Sequence, residues 1–126
     1  MRLLVDTHIL LWFLEGNTSL SAAHRQIIAE PQNDVFVSIA SLWETAIKIS
    51  IGKLTLTASL ADVIKQISAE NIEILPILPA HVLQVSTLPF HHRDPFDRLI
   101  IAQAQIEKLS VITEDKYFAD YKVKVL

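Results

Sequence analysis

Short apolar runs alternate with helical patterns along the whole chain, and this alternation constrains the fold more than any other feature. The predicted strands are Arg2–Val5, Asp34–Ser38, Asn71–Leu75 and Ser110–Thr113, with a fifth at an edge over the final "KVKVL". Segments with helical spacing or helix-start residues lie between successive runs. This order predicts an α/β fold with a mainly parallel central sheet.

Capping residues and helix breakers set the helix boundaries, with Gly16, Pro31 and Gly52 each ending a unit. The chain has 126 residues and no segment with the composition of a linker. We therefore expect one domain over residues 1–126, an α/β/α sandwich with about five strands. The predicted helices are Thr7–Glu15, one from a cap at Ser21 to about Glu30, Ala40–Ile51, Leu60–Glu70, Pro79–Ser86 and Pro95 to about Lys108.

The composition excludes several kinds of site. The chain has no cysteine, which rules out disulfides, thiolate zinc sites and cysteine nucleophiles and suits a reducing cytoplasm. The net charge of −3 means that binding to nucleic acid needs a local basic patch or bound cations. Asp6 and His8 interrupt the apolar N-terminus, and three prolines interrupt residues 74–90, so we expect neither a signal peptide nor a membrane span.

Four acidic residues are predicted to meet at one edge of the sheet. Asp6 directly follows the first strand, and Asp115 lies just beyond the strand "SVIT". Glu44 and Asp97 lie early in helices, and helix N-termini in such units point toward the carboxyl ends of parallel strands. Ligands of open α/β sheets collect at that edge.

Each acid also has an ordinary structural explanation. Asp6 could cap the helix that starts at Thr7, and Asp115 could begin a turn. Glu44 could form a capping box with Ser41 or an ion pair with Lys48. Asp97 could be an acid of the first helical turn, which the helix dipole favours.

The neighbours of these acids weaken the structural explanations. Ala40 and Ile47 share the helix face of Glu44, and Ile101 and Ala104 share that of Asp97. Carboxylates on apolar faces need a compensating charge, and a cluster of them repels itself. A divalent cation removes this conflict. An oxygen-only set suits Mg²⁺ or Mn²⁺, and such a site fits metal-assisted hydrolysis of a phosphodiester.

Four segments carry a resemblance to a known family. They are "LLVDTHILLW", "SIASLWETAIKISIGKL", "HHRDPFDRLIIAQA" and "LSVITED". In this order and spacing they resemble the PIN-domain ribonucleases, in particular the VapC-like toxins of bacterial toxin–antitoxin pairs. The resemblance spans nearly the whole chain. It implies a Mg²⁺- or Mn²⁺-dependent endoribonuclease that acts on RNA, forms a homodimer and binds an antitoxin protein.

Carried over position by position, the resemblance assigns the catalytic and metal-binding acids to Asp6, Glu44, Asp97 and Asp115. It assigns supporting hydroxyl groups to Thr7 and Thr113. Asp94 precedes Pro95 and stands three residues before Asp97, which favours a helix cap for Asp94 in support of the site.

Basic residues near these acids are candidates for contact with the RNA phosphate: Arg93, Arg98 and Lys116, with His91 and His92 as further sources of positive charge. The histidines lack the spacing of a helical zinc pair, and we do not predict them as ligands. Trp12, Phe13 and Trp43 are explained most simply as core, and a dimer or antitoxin surface is the alternative.

Two other functions stay open on the sequence. One is a phosphatase-like hydrolase with Asp6 as nucleophile, although "DTH" lacks the second acid two residues on that such enzymes commonly use. The other is a catalytically silent PIN-like binding module, against which the complete acid set argues.

Overall fold

A computed structural model describes residues 1–126 and shows a four-stranded parallel sheet in the order β3-β2-β1-β4. The strands are β1 (Arg2–Val5), β2 (Asp34–Ser38), β3 (Ile72–Leu75) and β4 (Ser110–Ile112). The helices are α1 (Thr7–Glu15), α2 (Ala22–Ala29), α3 (Ile39–Ser50), α4 (Leu60–Ala69), α5 (Pro79–Thr87) and α6 (Pro95–Glu107), followed by a 3₁₀ helix at Lys116–Asp120. The predicted α/β fold with a parallel sheet is confirmed.

The chain end differs from the prediction of a fifth strand. Only Val125 pairs with the sheet, through a single parallel bridge to Val111. The 3₁₀ helix occupies residues 116–120, so only the last few residues run beside β4. Two backbone hydrogen bonds hold them there, from Val111 N to Lys124 O and from Leu126 N to Val111 O. This pairing is too short to form a ladder.

Strands β1 and β4 and most of β2 are buried on both faces of the sheet, as their apolar residues require, whereas the edge strand β3 exposes Glu73 and Ile74. Alternate strand residues contribute to two separate cores, so that Leu3 and Val5 face one and Leu4 faces the other. The first core includes residues of α1, α2 and α4, and the second includes residues of α6 and the 3₁₀ helix. Helix α3 contacts both α1 and α6. No helix combines the length and the apolar character needed to cross a membrane.

Parallel pairing places the carboxyl ends of β1, β2 and β4 at one edge. Val5 is the partner of Val37 on one side and of Ile112 on the other. Asp6 N donates to Ile112 O at 3.2 Å, which extends this pairing by one residue. The residues that follow these three strands therefore start from neighbouring positions.

Candidate active site

Asp6 is both a helix cap and a member of the acid cluster. Its Oδ1 accepts from Ile9 N at 2.9 Å, which caps α1. Its Oδ2 accepts from the hydroxyl of Thr113 at the end of β4, and that hydroxyl accepts in turn from Asp115 N at 2.9 Å. Burial raises the pKa of Asp6 above its usual value, although the Thr113 hydroxyl and the Ile9 N–H oppose the rise.

Glu44 is buried, and a partner holds each of its carboxylate oxygens. The Thr7 hydroxyl donates to Oε1 at 2.7 Å, and Lys48 Nζ donates to Oε2 at 2.8 Å. Helix α3 starts at Ile39 with Ser38 as its cap, so the capping box between Ser41 and Glu44 is not formed. The ion pair between Glu44 and Lys48 is present, and the hydrogen bond from Lys48 to Glu44 raises the pKa of Lys48.

Asp97 has a strongly raised pKa, to which nearby negative charges contribute. Burial, followed by the charge of Asp94, raises its pKa to about 7, and the charges of Asp6 and Glu44 add to the rise. The nearby His92 opposes it. A carboxylate in the first turn of a solvated helix would have no such environment. Asp97 therefore belongs to a partly buried acid cluster that lacks enough positive charge.

Asp115 completes the cluster from the other side of the sheet edge. Its Oδ1 accepts from Tyr117 N at 2.9 Å and caps the 3₁₀ helix. Its Oδ2 accepts from His92 Nε2 at 2.7 Å. One carboxylate thus fixes a chain turn and contacts a histidine of the loop before α6.

An open recess of about 350 Å³, which we call the acidic recess, joins these acids. Three of the predicted acids line it, and Glu44 is not among the lining residues, although its charge acts on Asp97. The lining also includes Glu114 and His8, which follow the sheet edge directly but were not predicted. The residues around the acidic recess are Asp6, His8, Trp12, Asp97, Glu114 and Asp115.

Asp94 is the N-cap of α6, as predicted. Its Oδ1 accepts from Phe96 N at 2.8 Å and from Asp97 N at 3.1 Å, and Pro95 occupies the first helical position. The Asp94 charge also raises the pKa of Asp97. The cap therefore sets both the orientation of the helix start and the local negative potential.

Arg98 lies in a different environment from the one expected of a phosphate contact. Its side chain is buried, and its guanidinium donates to four backbone carbonyl oxygens, those of Val85, Leu88, Pro89 and His92. It also stacks on the Phe90 ring, 4.1 Å from the centroid. These contacts join α6 to the end of α5 and the following loop, so Arg98 has a structural role here.

The other two basic candidates are on the surface. Arg93 is exposed in the loop before α6, and Lys116 is exposed at the start of the 3₁₀ helix, with its Nζ 5.4 Å from the Tyr117 ring centroid. Arg93 directly follows His92, and Lys116 directly follows Asp115. Both basic residues therefore remain candidates for contact with phosphate.

The three aromatic side chains divide between core and surface. Trp12 and Phe13 are partly buried against the first core. Trp43 is 59% exposed and packs edge-to-face on Phe96 with ring centroids 5.2 Å apart, so the core interpretation is wrong for this residue. It borders an apolar recess of about 280 Å³ lined by Trp43, Val82, Val85, Pro95, Phe96 and Leu99.

Comparison with protein-family models gives one decisive match. The model described as "PIN domain" matches residues 3–124. The chain belongs to the PIN domain family. A comparison with curated protein sequences gives no significant match.

Solved structures with the same fold include three from bacterial toxin–antitoxin systems. The VapBC2 complex of Rickettsia felis, bound to a DNA fragment of its promoter, has a TM-score of 0.74 at 15% identity, with 100% of this chain and 98% of that chain covered. A toxin–antitoxin complex from Klebsiella pneumoniae has a TM-score of 0.64 at 21% identity, covering 98% and 94%. VapBC-1 of nontypeable Haemophilus influenzae has a TM-score of 0.64 at 18% identity, covering 100% and 97%.

The donor chemistry of this PIN domain fits a hard divalent cation. The side chains of Asp6, Glu44, Asp97 and Asp115 offer only carboxylate oxygens, which Mg²⁺ and Mn²⁺ prefer. Repulsion from neighbouring carboxylates helps to raise the pKa of Asp97, and a bound cation would relieve this repulsion.

Two further residues of this PIN domain contact the acids. The sequence suggested Lys48 only as an ion-pair partner of Glu44, and His92 only as a source of positive charge for the RNA phosphate. His92 contacts both Asp97 and Asp115, and Lys48 is bonded to Glu44 and also senses the charges of Asp94 and Asp97. The spacing of four residues from Glu44 was the available signal for Lys48. His92 had a weaker signal, its position two residues before a cap.

Proposed function

We propose that this PIN domain is a divalent-metal-dependent endoribonuclease that hydrolyses phosphodiester bonds of RNA. Asp6, Glu44, Asp97 and Asp115 are its metal-binding and catalytic acids. The observation that carries the proposal is the convergence of these acids, from four separate segments, around an Asp97 whose pKa is raised to about 7. The fold similarity to toxin–antitoxin complexes adds independent support.

The side chains around the acids have distinct supporting roles. Thr113 holds Asp6, and Thr7 holds Glu44, so that neither carboxylate has to be ordered when a cation binds. Asp94 fixes the start of α6 and so the position of Asp97. Arg93 and Lys116 are the exposed cations closest in sequence to the cluster that remain available to an RNA phosphate. A bound Mg²⁺ or Mn²⁺ would supply the activation of water and the neutralisation of phosphate charge.

A cleavage assay with purified protein tests this proposal. We expect single-stranded RNA to be cut with Mg²⁺ or Mn²⁺ and protected by EDTA. Asp6→Asn and Asp97→Asn should each reduce the cleavage rate by about 100-fold or more. Loss of a residue that only hydrogen-bonds a metal ligand already costs about 10–100-fold, and loss of the ligand itself should cost at least as much. Asp62→Asn, which removes an exposed acid of α4, serves as the charge control and should cut normally.

Cleavage that persists in EDTA, or full activity of either site variant, would refute the proposal. A phosphatase-like hydrolase would instead yield a trapped phosphoryl group on Asp6. A silent binding module would neither cut RNA nor bind the cation.

We propose further that this nuclease is the cytoplasmic toxin of a toxin–antitoxin pair. Expression in a bacterial host should arrest growth, and Asp6→Asn should abolish the arrest. Co-expression of a small DNA-binding protein encoded beside the gene should relieve the arrest through a stable complex. Growth arrest that is identical for the Asp6→Asn variant would refute a toxin role based on cleavage.

A protein partner is also supported by the surface around Trp43. An apolar recess bordered by an exposed tryptophan is typical of an interaction surface. We propose that the chain forms a homodimer and binds its antitoxin, with Trp43 in one of these contacts. Light scattering and antitoxin titration with Trp43→Ala should show a loss of one association. If the Trp43→Ala variant forms the homodimer and the antitoxin complex as before, Trp43 is not part of either interface.

A further inference from the structure

One histidine bridges two of the proposed metal-binding acids. His92 Nε2 lies 2.7 Å from Asp115 Oδ2 and 3.1 Å from Asp97 Oδ2. The loop before α6 supplies this ring, whereas α6 and the segment after β4 supply the two carboxylates. The His92 side chain is only 11% exposed, so these contacts are formed within the protein rather than at its surface.

The second ring nitrogen shows where the proton lies. Asp94 N donates to His92 Nδ1 at 3.1 Å, so Nδ1 uses its lone pair as an acceptor and carries no hydrogen. The proton of the ring is then on Nε2, which faces only carboxylate oxygens. A hydrogen on Nδ1 would oppose the N–H of Asp94. The Asp94 backbone thereby fixes one tautomer of His92.

This tautomer argues against a role of His92 as a metal ligand. His92, Asp97 and Asp115 offer ligand atoms that all lie within 4.8 Å of one another, which is the spacing of a metal-binding triad. An imidazole binds a metal through a ring nitrogen without hydrogen. Coordination through Nε2 would move the proton to Nδ1, directly against the Asp94 N–H.

We propose that His92 is a positioning residue, whose Nε2–H orients the carboxylates of Asp97 and Asp115 for a cation bound by their remaining lone pairs. The proposal rests on the function proposed above, because it takes both acids as metal ligands. Hydrogen-bond partners of this kind hold metal ligands in one orientation.

The surroundings of His92 hold the ring in place for this role. The rings of Tyr117 and Phe118 lie edge-on to it, with centroids 5.5 Å and 6.0 Å away. The His92 backbone N–H donates to the Tyr121 hydroxyl at 2.9 Å, which donates to Pro89 O at 2.7 Å. The ring is therefore held by the hydrogen bond of its backbone and by two aromatic neighbours.

His81 has the same bonding pattern away from the acids and provides an internal control. Its Nδ1 accepts from Leu78 N at 3.0 Å, and its Nε2 lies 3.0 Å from Glu107 Oε2. It is fully buried between α5 and α6. Both histidines should therefore carry the proton on Nε2, but only His92 should respond to a cation at the acid cluster.

Nitrogen-15 NMR of the histidine rings in the full chain tests the assignment without cleavage. His92→Gln and His81→Gln identify the two sets of signals. We expect both rings in the Nε2–H form without metal, and His92 to keep this form after Mg²⁺ is added. A proton on Nδ1 of His92, in the metal-free protein or after addition of Mg²⁺, would overturn the positioning role.

Calorimetric titration with Mn²⁺ provides a second readout. We expect His92→Ala to weaken binding by about 10–100-fold. Glutamine can place an amide N–H where Nε2 lies, so His92→Gln should restore most of the affinity, whereas His92→Asn reaches only the Nδ1 position and should not. His81→Gln should bind as the unsubstituted protein does.

The outcomes separate the two proposals. Equal losses in His92→Gln and His92→Ala, or a changed preference among Mg²⁺, Mn²⁺ and Zn²⁺, would overturn the positioning role alone. Failure of the unsubstituted protein to bind any of these cations would overturn the proposed function and the positioning role with it.

Discussion

Thr113 and Asp6 are 107 residues apart in sequence, and the hydroxyl of Thr113 donates to Oδ2 of Asp6. The same hydroxyl accepts from the backbone N–H of Asp115. One side chain at the end of β4 therefore connects the first and the last acids of the cluster. This link makes the geometry of the site depend on the pairing of β1 with β4.

Thr113→Val tests this link, because valine keeps the shape of threonine and removes its hydroxyl. Asp6 then loses one partner, and we expect cation affinity and cleavage to fall by about 10–100-fold. Thr113→Ser should retain most of both. Thr45→Val is the matched control, since the equally buried Thr45 hydroxyl bonds only to Ser41 O within α3. A Thr113→Val variant that behaves like this control would contradict the link.

Lys48→Met should separate stability from cation binding. The substitution removes the cation bonded to Glu44 and leaves that buried carboxylate without a partner on Oε2. We expect the metal-free protein to lose on the order of 1–2 kcal/mol of unfolding free energy and to bind Mg²⁺ more tightly. Thermal unfolding and calorimetry measure the two effects. Lys65→Met, on the exposed part of α4, is the control, and unchanged affinity in Lys48→Met would contradict the prediction.

The raised pKa of Asp97 predicts how stability depends on pH. Between the usual value of 3.8 and about 7, the folded state binds a proton that the unfolded state does not. The contribution of Asp97 to the free energy of unfolding is therefore complete at low pH and is lost as the pH rises to about 7. The loss is on the order of 4 kcal/mol at most. Unfolding of the metal-free protein should follow this trend, and Asp97→Asn should weaken it, leaving the smaller contribution of Asp6, whose pKa is also raised by burial.

Added Mg²⁺ should oppose the same trend, because it binds the ionised carboxylates and stabilises them at high pH. Thermal unfolding between about pH 4 and about pH 8, with and without Mg²⁺, measures both effects. A metal-free protein whose stability does not differ from that of Asp97→Asn at any pH would disprove the charge conflict at Asp97.

Substitutions of Asp94 separate its cap from its charge. Serine is also a strong cap, so Asp94→Ser should keep the stability and the cleavage of the protein while lowering the pKa of Asp97. Asp94→Ala should cost about 1 kcal/mol of unfolding free energy. Urea unfolding and the RNA cleavage rate measure these effects. Complete loss of cleavage in a folded Asp94→Ser variant would contradict a supporting role for Asp94 as a helix cap.

Local sequence patterns were sufficient to predict most of the fold. Strand Asp34–Ser38, helix Thr7–Glu15 and the cap at Asp94 all agree with the structure, since each depends on short-range periodicity or on neighbouring residues. The position of the acids at one edge followed from parallel pairing. The prediction of a fifth strand was wrong because the alternation in "KVKVL" does not show how few of its residues pair with β4.

Tertiary contacts explain what the sequence did not show. The acceptors of Arg98 are backbone carbonyl oxygens, which no residue type identifies, so its neighbouring acids suggested a phosphate contact instead. The bond between His92 and Asp115 spans 23 residues and depends on how the loop before α6 meets the end of β4. Trp43 is apolar at a helical position, but its exposure depends on the arrangement of α3, α5 and α6.

A crystal of the protein soaked in Mn²⁺ tests the central claim most directly, through the anomalous scattering of the metal. The account predicts an anomalous peak at the acidic recess, bonded to carboxylate oxygens drawn from Asp6, Glu44, Asp97 and Asp115, and its loss in Asp97→Asn crystals. Ordered side chains at this cluster with no peak beside them, in crystals kept above about pH 7 and at a Mn²⁺ concentration that supports cleavage, would contradict it.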